Sequence, residues 1–168
     1  MTKRMFLPAL ATVLILFPVP GFSQEQAFER GDFWICPAAE TSLYSISSVS
    51  YGGGIALGYG RGASIGFKAA YFYDHEGQVD TMELGILLRF YFFGISSCSG
   101  PFIQFSGGPA FFFAREDDVQ LPSELGMISA GISAGWRFLL GKTLFVEPSV
   151  RGGYPYIFGA GLSTGVRF

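Results

Sequence analysis

Charge is scarce in this 168-residue sequence. Charged residues make up 14% of the chain, whereas roughly 25% is usual for a soluble domain. The formal net charge is −2 and no basic stripe is present, so nothing indicates nucleic-acid binding. His75 is the only histidine and is too isolated for a metal site, and no serine, histidine and carboxylate grouping suggests hydrolysis. The sequence therefore indicates neither an enzyme nor a protein that holds a metal or another cofactor.

Long hydrophobic runs are missing after residue 23, which excludes a transmembrane helix there. Residues 1–23 differ from the rest, because Lys3 and Arg4 precede an apolar segment and residues 21–23 are typical of a cleavage site. A membrane anchor is the alternative, but the apolar segment is short and polar sequence follows it at once. We interpret residues 1–23 as a cleaved signal peptide and residues 24–168 as one exported domain.

Cysteine is also scarce, with two residues, Cys36 and Cys98. Neither directly follows the expected cleavage point, which disfavours a lipoprotein. The pair could form a disulfide in an oxidising compartment. However, the two residues fall on or beside strands that are not neighbours, and a disulfide requires a close approach. Two free, buried thiols are an equal alternative.

Glycine (24 residues) and phenylalanine (19 residues) are abundant, and they fall in segments that alternate with a period of two. Such alternation between turn-forming stretches is typical of β-strands. The predicted strands are residues 32–44, 50–60, 63–73, 80–93, 101–115, 126–139, 143–152 and 156–168. The first is the least regular, because Pro37 interrupts it.

The two faces of these strands have different compositions. One face is apolar and aromatic, whereas the other is mostly Gly, Ser and Ala with isolated charges. A soluble barrel or sandwich would expose a face rich in Lys, Glu, Thr and Gln, whereas a narrow lumen requires small residues. We therefore predict an all-β fold, an eight-stranded antiparallel up-and-down transmembrane β-barrel whose apolar face contacts lipid.

The last segment, residues 156–168, alternates regularly and ends on Phe168. It resembles the C-terminal signal of bacterial outer-membrane β-barrels, although Ser163 occupies a position where glycine is frequent. The whole exported domain is similar to the small eight-stranded outer-membrane families, namely the OmpW-like, OmpX-like and OmpA transmembrane-domain types. This resemblance implies a location in the bacterial outer membrane, contact with its lipids, and recognition of the Phe168 strand by the barrel-assembly machinery.

Charged residues on the small-residue face form a candidate lumen network. They are Lys68, Glu83, Arg89, Arg137, Glu147, Arg151 and Arg167. Opposite charges in a confined interior should pair, because an unpaired buried charge is costly. Such a network would act as a structural plug or as the polar, sealed floor below an apolar outer vestibule.

Apolar residues are expected above this network, at the outer end of the lumen. They are Phe72, Phe112, Met127 and Ile157. The resemblance to OmpW-like proteins implies an apolar lumen that binds hydrophobic compounds and releases them sideways through the wall. The expected function is therefore passive passage of small, hydrophobic molecules. The alternatives are a surface adhesin that acts through external loops such as residues 116–124, and a structural barrel with a plugged lumen.

Two prolines, Pro109 and Pro148, fall inside predicted strands. Each removes a hydrogen-bond donor from the ladder. The usual consequence is a bulge that bends the strand. The alternative is a local gap in the wall that serves as a lateral exit.

Overall fold

A computed structural model describes residues 31–45, 48–74, 79–93, 98–114 and 128–168. The predicted signal peptide, Met127 and the loop 116–124, on which the adhesin alternative depends, lie outside these residues. The described residues form eight strands. The strands are β1 (Asp32–Ser45), β2 (Ser48–Gly60), β3 (Ala63–Asp74), β4 (Val79–Tyr91), β5 (Gly100–Ala114), β6 (Ile128–Leu140), β7 (Leu144–Tyr154) and β8 (Phe158–Arg167). No strand end differs from its predicted position by more than two residues.

The eight strands form one closed antiparallel barrel. Each strand pairs with the next in the sequence, and β8 returns to pair with β1, where Trp34 lies opposite Arg167. Closure satisfies the backbone hydrogen-bonding groups that an open sheet edge would leave free. The predicted eight-stranded up-and-down architecture is confirmed. No helix long and apolar enough to cross a membrane occurs in the part of the chain that the structure describes.

The faces of the barrel are oriented as the alternation predicts. Phe67 and Ile132 point outward and are 62% and 48% exposed, whereas Arg89 and Arg137 point inward and are 4% and 1% exposed. The same order holds in β1, where Trp34 is buried and Pro37 lies on the outer face. The outer surface is therefore apolar, and the charged residues of the strands lie in the interior.

Three prolines away from the strand ends, Pro37, Pro109 and Pro148, all lie on the outer face. Each proline's strand pairs with two neighbouring strands. At the proline, the ladder to one of these neighbours lacks two consecutive residue pairs. The pairing on the other side is retained, and the register is the same before and after each proline. The expected bulges at Pro109 and Pro148 are therefore wrong, because each proline removes local pairs without inserting a residue.

Glycines on the inner face make room for the large side chains of the lumen. A Cβ on Gly58 would lie 2.7 Å from Cε2 of Trp34, and a Cβ on Gly52 would lie 2.6 Å from Cε1 of Phe72. These distances are too short for non-bonded carbon atoms. The small-residue face of β2 is thus the complement of bulky residues on β1 and β3.

Candidate functional site

The interior of the barrel is the candidate site, and its two ends differ. One end carries the β2–β3, β4–β5 and β6–β7 connections together with Asp32 and Arg167, and we call it the turn end. The loop end carries the other four connections. Between the ends, the inward side chains form three layers.

The layer nearest the turn end contains two arginines that share one carboxylate. Arg89 Nη1 lies 2.7 Å from Glu147 Oε1, and Arg137 Nε donates to the same oxygen. Ser163 Oγ lies 3.3 Å from Glu147 Oε2. Arg89 Nε and Nη2 also donate to Oε1 of Gln104, at 3.0 and 2.8 Å. Arg89, Arg137 and Glu147 are all buried, so these contacts replace water.

Aromatic rings surround the two arginines. The guanidinium carbon of Arg137 lies 3.8 Å from the ring centre of Phe145, 5.0 Å from that of Trp34 and 5.4 Å from that of Tyr91. That of Arg89 lies 4.2 Å from the ring centre of Phe102 and 4.6 Å from that of Trp34. Such ring faces attract cations. We call this layer the floor, and its members are Trp34, Arg89, Tyr91, Phe102, Arg137, Phe145 and Glu147.

The second layer is a balanced set of two acids and two bases, which we call the middle network: Glu40, Lys68, Glu83 and Arg151. Arg151 forms a bidentate pair with Glu83, at 2.8 and 3.0 Å, and its Nε lies 3.0 Å from Glu40. Lys68 Nζ lies 3.5 Å from Glu40 and 3.9 Å from Glu83. The network therefore joins β1, β3, β4 and β7 across the lumen.

The third layer, at the loop end, is aromatic. The ring centres of Phe72 and Tyr156 lie 4.5 Å apart, and both side chains are fully buried. They cover Arg151, whose guanidinium carbon lies 5.1 Å from the Phe72 ring centre and 5.3 Å from that of Tyr156. Tyr156 lies in the β7–β8 connection, and burial raises the pKa of its hydroxyl group.

Of the residues predicted to form the apolar outer lumen, Phe72 lies inside the barrel at the loop end, whereas Ile157 does not. Ile157 is 59% exposed, and Tyr156, which is 1% exposed, occupies the lumen in its place. The prediction failed because β8 begins at Phe158, so the alternation does not continue through the connection. Phe112 is partly buried, and Met127 lies outside the described residues.

The seven charged residues predicted to form one network belong to separate groups. Arg89, Arg137 and Glu147 lie in the floor, whereas Lys68, Glu83 and Arg151 lie in the middle network. Arg167 belongs to neither, since it lies at the rim of the turn end, 3.7 Å from Asp32, and donates to the carbonyl oxygen of Lys142.

Glu40 is the network member that sequence reasoning missed. It lies in β1, between the inward-facing residues Ala38 and Ser42. The signal was present as the alternation of Trp34, Cys36, Ala38, Glu40 and Ser42, but the proline within this segment obscured the phase.

The spaces between the layers are small. A cavity of about 60 Å³ lies between the floor and the middle network, and one of about 30 Å³ lies against β2 and β3. The larger one can hold a few water molecules, since one water needs roughly 10–15 Å³ of such volume. Ligand pockets measure roughly 300–1,000 Å³, so neither cavity accommodates an organic solute.

Both cysteines are buried and present as free thiols. Cys36 packs in β1 against Trp34, Leu87 and Phe145, whereas Cys98 lies in the β4–β5 connection, 3.5 Å from the carbonyl oxygen of Gly60. Burial raises the pKa of the Cys98 thiol. Of the two alternatives from the sequence, the structure has free thiols. In the described ranges, no group of three or more His, Cys, Asp or Glu side chains could hold a metal ion.

Comparisons with known proteins identify the fold. No family model and no curated protein matches the chain. Among solved structures, one similar fold is the N-terminal β-barrel domain of Pseudomonas aeruginosa OprF, which is 20% identical to this chain. The alignment covers 83% of this chain and 100% of the OprF domain, with a TM-score of 0.60. Neisserial surface protein A (NspA) is 14% identical over 82% of this chain and 95% of its own, with a TM-score of 0.55. The Pseudomonas aeruginosa outer-membrane protein OprG is 12% identical over 85% of this chain and 98% of its own, with a TM-score of 0.51. The chain therefore has the fold of the small eight-stranded outer-membrane β-barrels.

Proposed function

We propose that this protein is an integral barrel of the bacterial outer membrane whose lumen is sealed, so that it acts as a structural element of the membrane and not as an open pore. The observation that carries this proposal is the floor, where two buried arginines share Glu147 and are enclosed by aromatic rings. The second and third layers close the lumen again above it.

The outer surface supports the membrane location. Exposed aromatic residues lie toward both ends of the barrel, including Tyr51 and Tyr73 at the loop end and Phe33, Tyr59 and Trp136 at the turn end. Aromatic girdles at the two interfaces flank the apolar band of such barrels. We assign the turn end to the periplasmic side. Phe168, which is exposed beside Phe33, would present the last strand to the assembly machinery.

The energetics favour a permanent seal. Removing one partner of a buried ion pair costs about 3–5 kcal/mol, because the other charge remains in a medium of low dielectric constant. In the floor, opening the lumen would separate Glu147 from Arg89 and Arg137 together. Thermal fluctuation at about 0.6 kcal/mol is too small to do this often.

Reconstitution into liposomes tests the proposal. The wild-type protein should release a trapped small sugar no faster than protein-free liposomes, whereas an open porin should release it rapidly. A variant that lacks the aromatic layer, Phe72→Ala with Tyr156→Ala, should also remain closed, because the floor is intact. Combining it with Arg137→Ala, Phe145→Ala and Arg151→Ala, which also opens the middle network, should allow release. Sugar release by the wild-type protein would contradict the sealed lumen.

Passage of small hydrophobic molecules is the second candidate function. The observation that favours it is the contrast within the lumen, where the buried residues Ala70, Phe72 and Tyr156 lie at the loop end above a charged middle network. An apolar solute that entered there could not continue through the floor. It would have to leave through the wall.

The prolines define where such an exit is testable. Two ladder pairs are absent beside Pro109, between β4 and β5, and two beside Pro148, between β6 and β7. The backbones nevertheless remain in contact, since a Cβ on Gly108 would lie 2.7 Å from Cα of Gly85. Uptake of an apolar fluorescent solute into cells should decrease in Pro109→Ala if this site is an exit. Equal uptake by the wild type, Pro109→Ala and Pro148→Ala would rule out both sites.

A further inference from the structure

The floor holds more positive than negative charge. Arg89 and Arg137 supply two guanidinium groups, and Glu147 is the carboxylate that contacts both. The other charged groups do not restore the balance. Glu40 and Glu83 are engaged with Lys68 and Arg151, and Asp32 is engaged with Arg61 and Arg167 at the rim. Among the described residues, the floor therefore carries an excess of one positive charge.

Arg137 is the group that carries this excess. Its Nε donates to Glu147, but Nη1 and Nη2 have no hydrogen-bond partner in the described part of the chain. The side chain is 0% exposed, so bulk water does not reach these atoms. Arg89 differs, because its guanidinium donates to Glu147, Gln104 and Tyr91.

The surroundings of Arg137 add a further unpaired donor. The indole Nε1 of Trp34 is buried without a partner among the described residues, and the Trp34 ring centre lies 5.0 Å from the guanidinium carbon of Arg137. The faces of Phe145 and Tyr91 attract a cation but accept no strong hydrogen bond. A buried fork of donors with a net positive charge is the arrangement that binds an anion.

We propose that a small inorganic anion, with the charge and size of chloride, binds inside the floor at the Nη edge of Arg137. It neutralises the excess charge and accepts the N–H groups that the protein leaves unpaired. Arg137 borders a cleft at the turn end together with Phe93, Trp136 and Phe138, but its side chain is 0% exposed there, which favours a monatomic anion over a nucleotide, a sugar phosphate or a lipid headgroup. Because the site is buried, the anion enters as the barrel folds.

The experiment compares folding in chloride and in gluconate, which is too large for the site, at constant ionic strength. The protein is folded into detergent micelles in each salt, and its thermal unfolding midpoint is measured as the chloride fraction increases. The midpoint of the wild type should rise by a few degrees and then saturate, because a ligand that binds the folded state stabilises it by mass action. Arg137→Met should lose this response. The matched control Arg61→Met, which alters an arginine at the rim of the same end, should retain it.

A second measurement does not depend on any variant. Crystals of the protein folded in bromide should show an anomalous peak beside Arg137 Nη1 and Nη2. If Arg137→Met does not fold, Arg137→Lys serves as the test variant. It keeps the charge but lacks the fork of donors, and it should show a weaker chloride response than the wild type. The proposal is overturned if the wild-type midpoint is the same in chloride and gluconate, if Arg137→Met responds as Arg61→Met does, or if the bromide peak is absent.

Discussion

The floor and the middle network both hold ionised side chains inside a narrow barrel, but they stabilise them differently. The middle network pairs two acids with two bases, and a small cavity adjoins it. The floor has two bases and one acid, and aromatic rings occupy the positions that a second carboxylate could take. Ion pairing in the one layer is therefore replaced in part by cation–π contact in the other, which is worth about 2 kcal/mol when the cation is desolvated.

The largest difference between the two layers should follow the loss of a carboxylate. Glu147→Gln leaves two buried guanidinium groups without a counter-charge, and we expect a loss of about 3–5 kcal/mol in the free energy of unfolding. Glu40→Gln is the matched control, since Lys68 and Arg151 still contact Glu83. Urea unfolding in lipid vesicles measures both. Equal losses in the free energy of unfolding would show that removing a carboxylate costs the floor no more than it costs the middle network.

Arg151 tests whether the middle network acts as a unit. Arg151→Met removes the bidentate contact with Glu83 and the contact with Glu40, and leaves Lys68 as the remaining cation. We expect a loss of about 1–3 kcal/mol. The double variant Arg151→Met with Glu83→Gln should recover part of the loss, because it also removes the uncompensated carboxylate. Additive losses in the same urea titrations would contradict a coupled network.

Phenylalanine rings in the two layers can be compared directly. Phe145→Leu removes a ring whose centre lies 3.8 Å from the guanidinium carbon of Arg137. Phe72→Leu removes a ring whose centre lies 5.1 Å from the guanidinium carbon of Arg151. Both replacements delete a similar volume, and Phe72→Leu also removes the contact with the Tyr156 ring, so a larger loss in Phe145→Leu would report its closer cation–π contact. We expect Phe145→Leu to cost about 1 kcal/mol more. If Phe72→Leu costs as much, packing alone accounts for the floor.

The strands and their orientation could be predicted from the sequence, because a period of two is a local property of the chain. Arg89 and Arg137 were placed in the lumen by alternation alone. Their partition into separate groups was not predictable, since it depends on how far each strand is displaced along its neighbour. Glu147 faces both arginines only because β4, β6 and β7 have the register observed.

Two errors show where local patterns stop being informative. Tyr156 and Ile157 lie in a connection, where alternation no longer determines which side chain turns inward. The prolines were expected to cause bulges, but the loss of a donor and the insertion of a residue are separate events. Pro109 and Pro148 therefore interrupt the ladder without changing its register.

The smallest perturbation of the floor is a chemical one that needs no substitution. Cys36 packs in the floor and Cys98 lies at the turn end, and both thiols are buried. Burial raises the pKa of Cys98 above its ordinary value, so the reactive thiolate is scarcer at pH 8 than in an exposed cysteine. We expect the folded barrel to resist alkylation at both positions, and the unfolded protein to gain two adducts without a reducing agent, as mass spectrometry would show. Rapid labelling of Cys36 in the folded protein would mean that the floor opens, and unfolded protein that gains no adduct until it is reduced would mean that the two cysteines are joined.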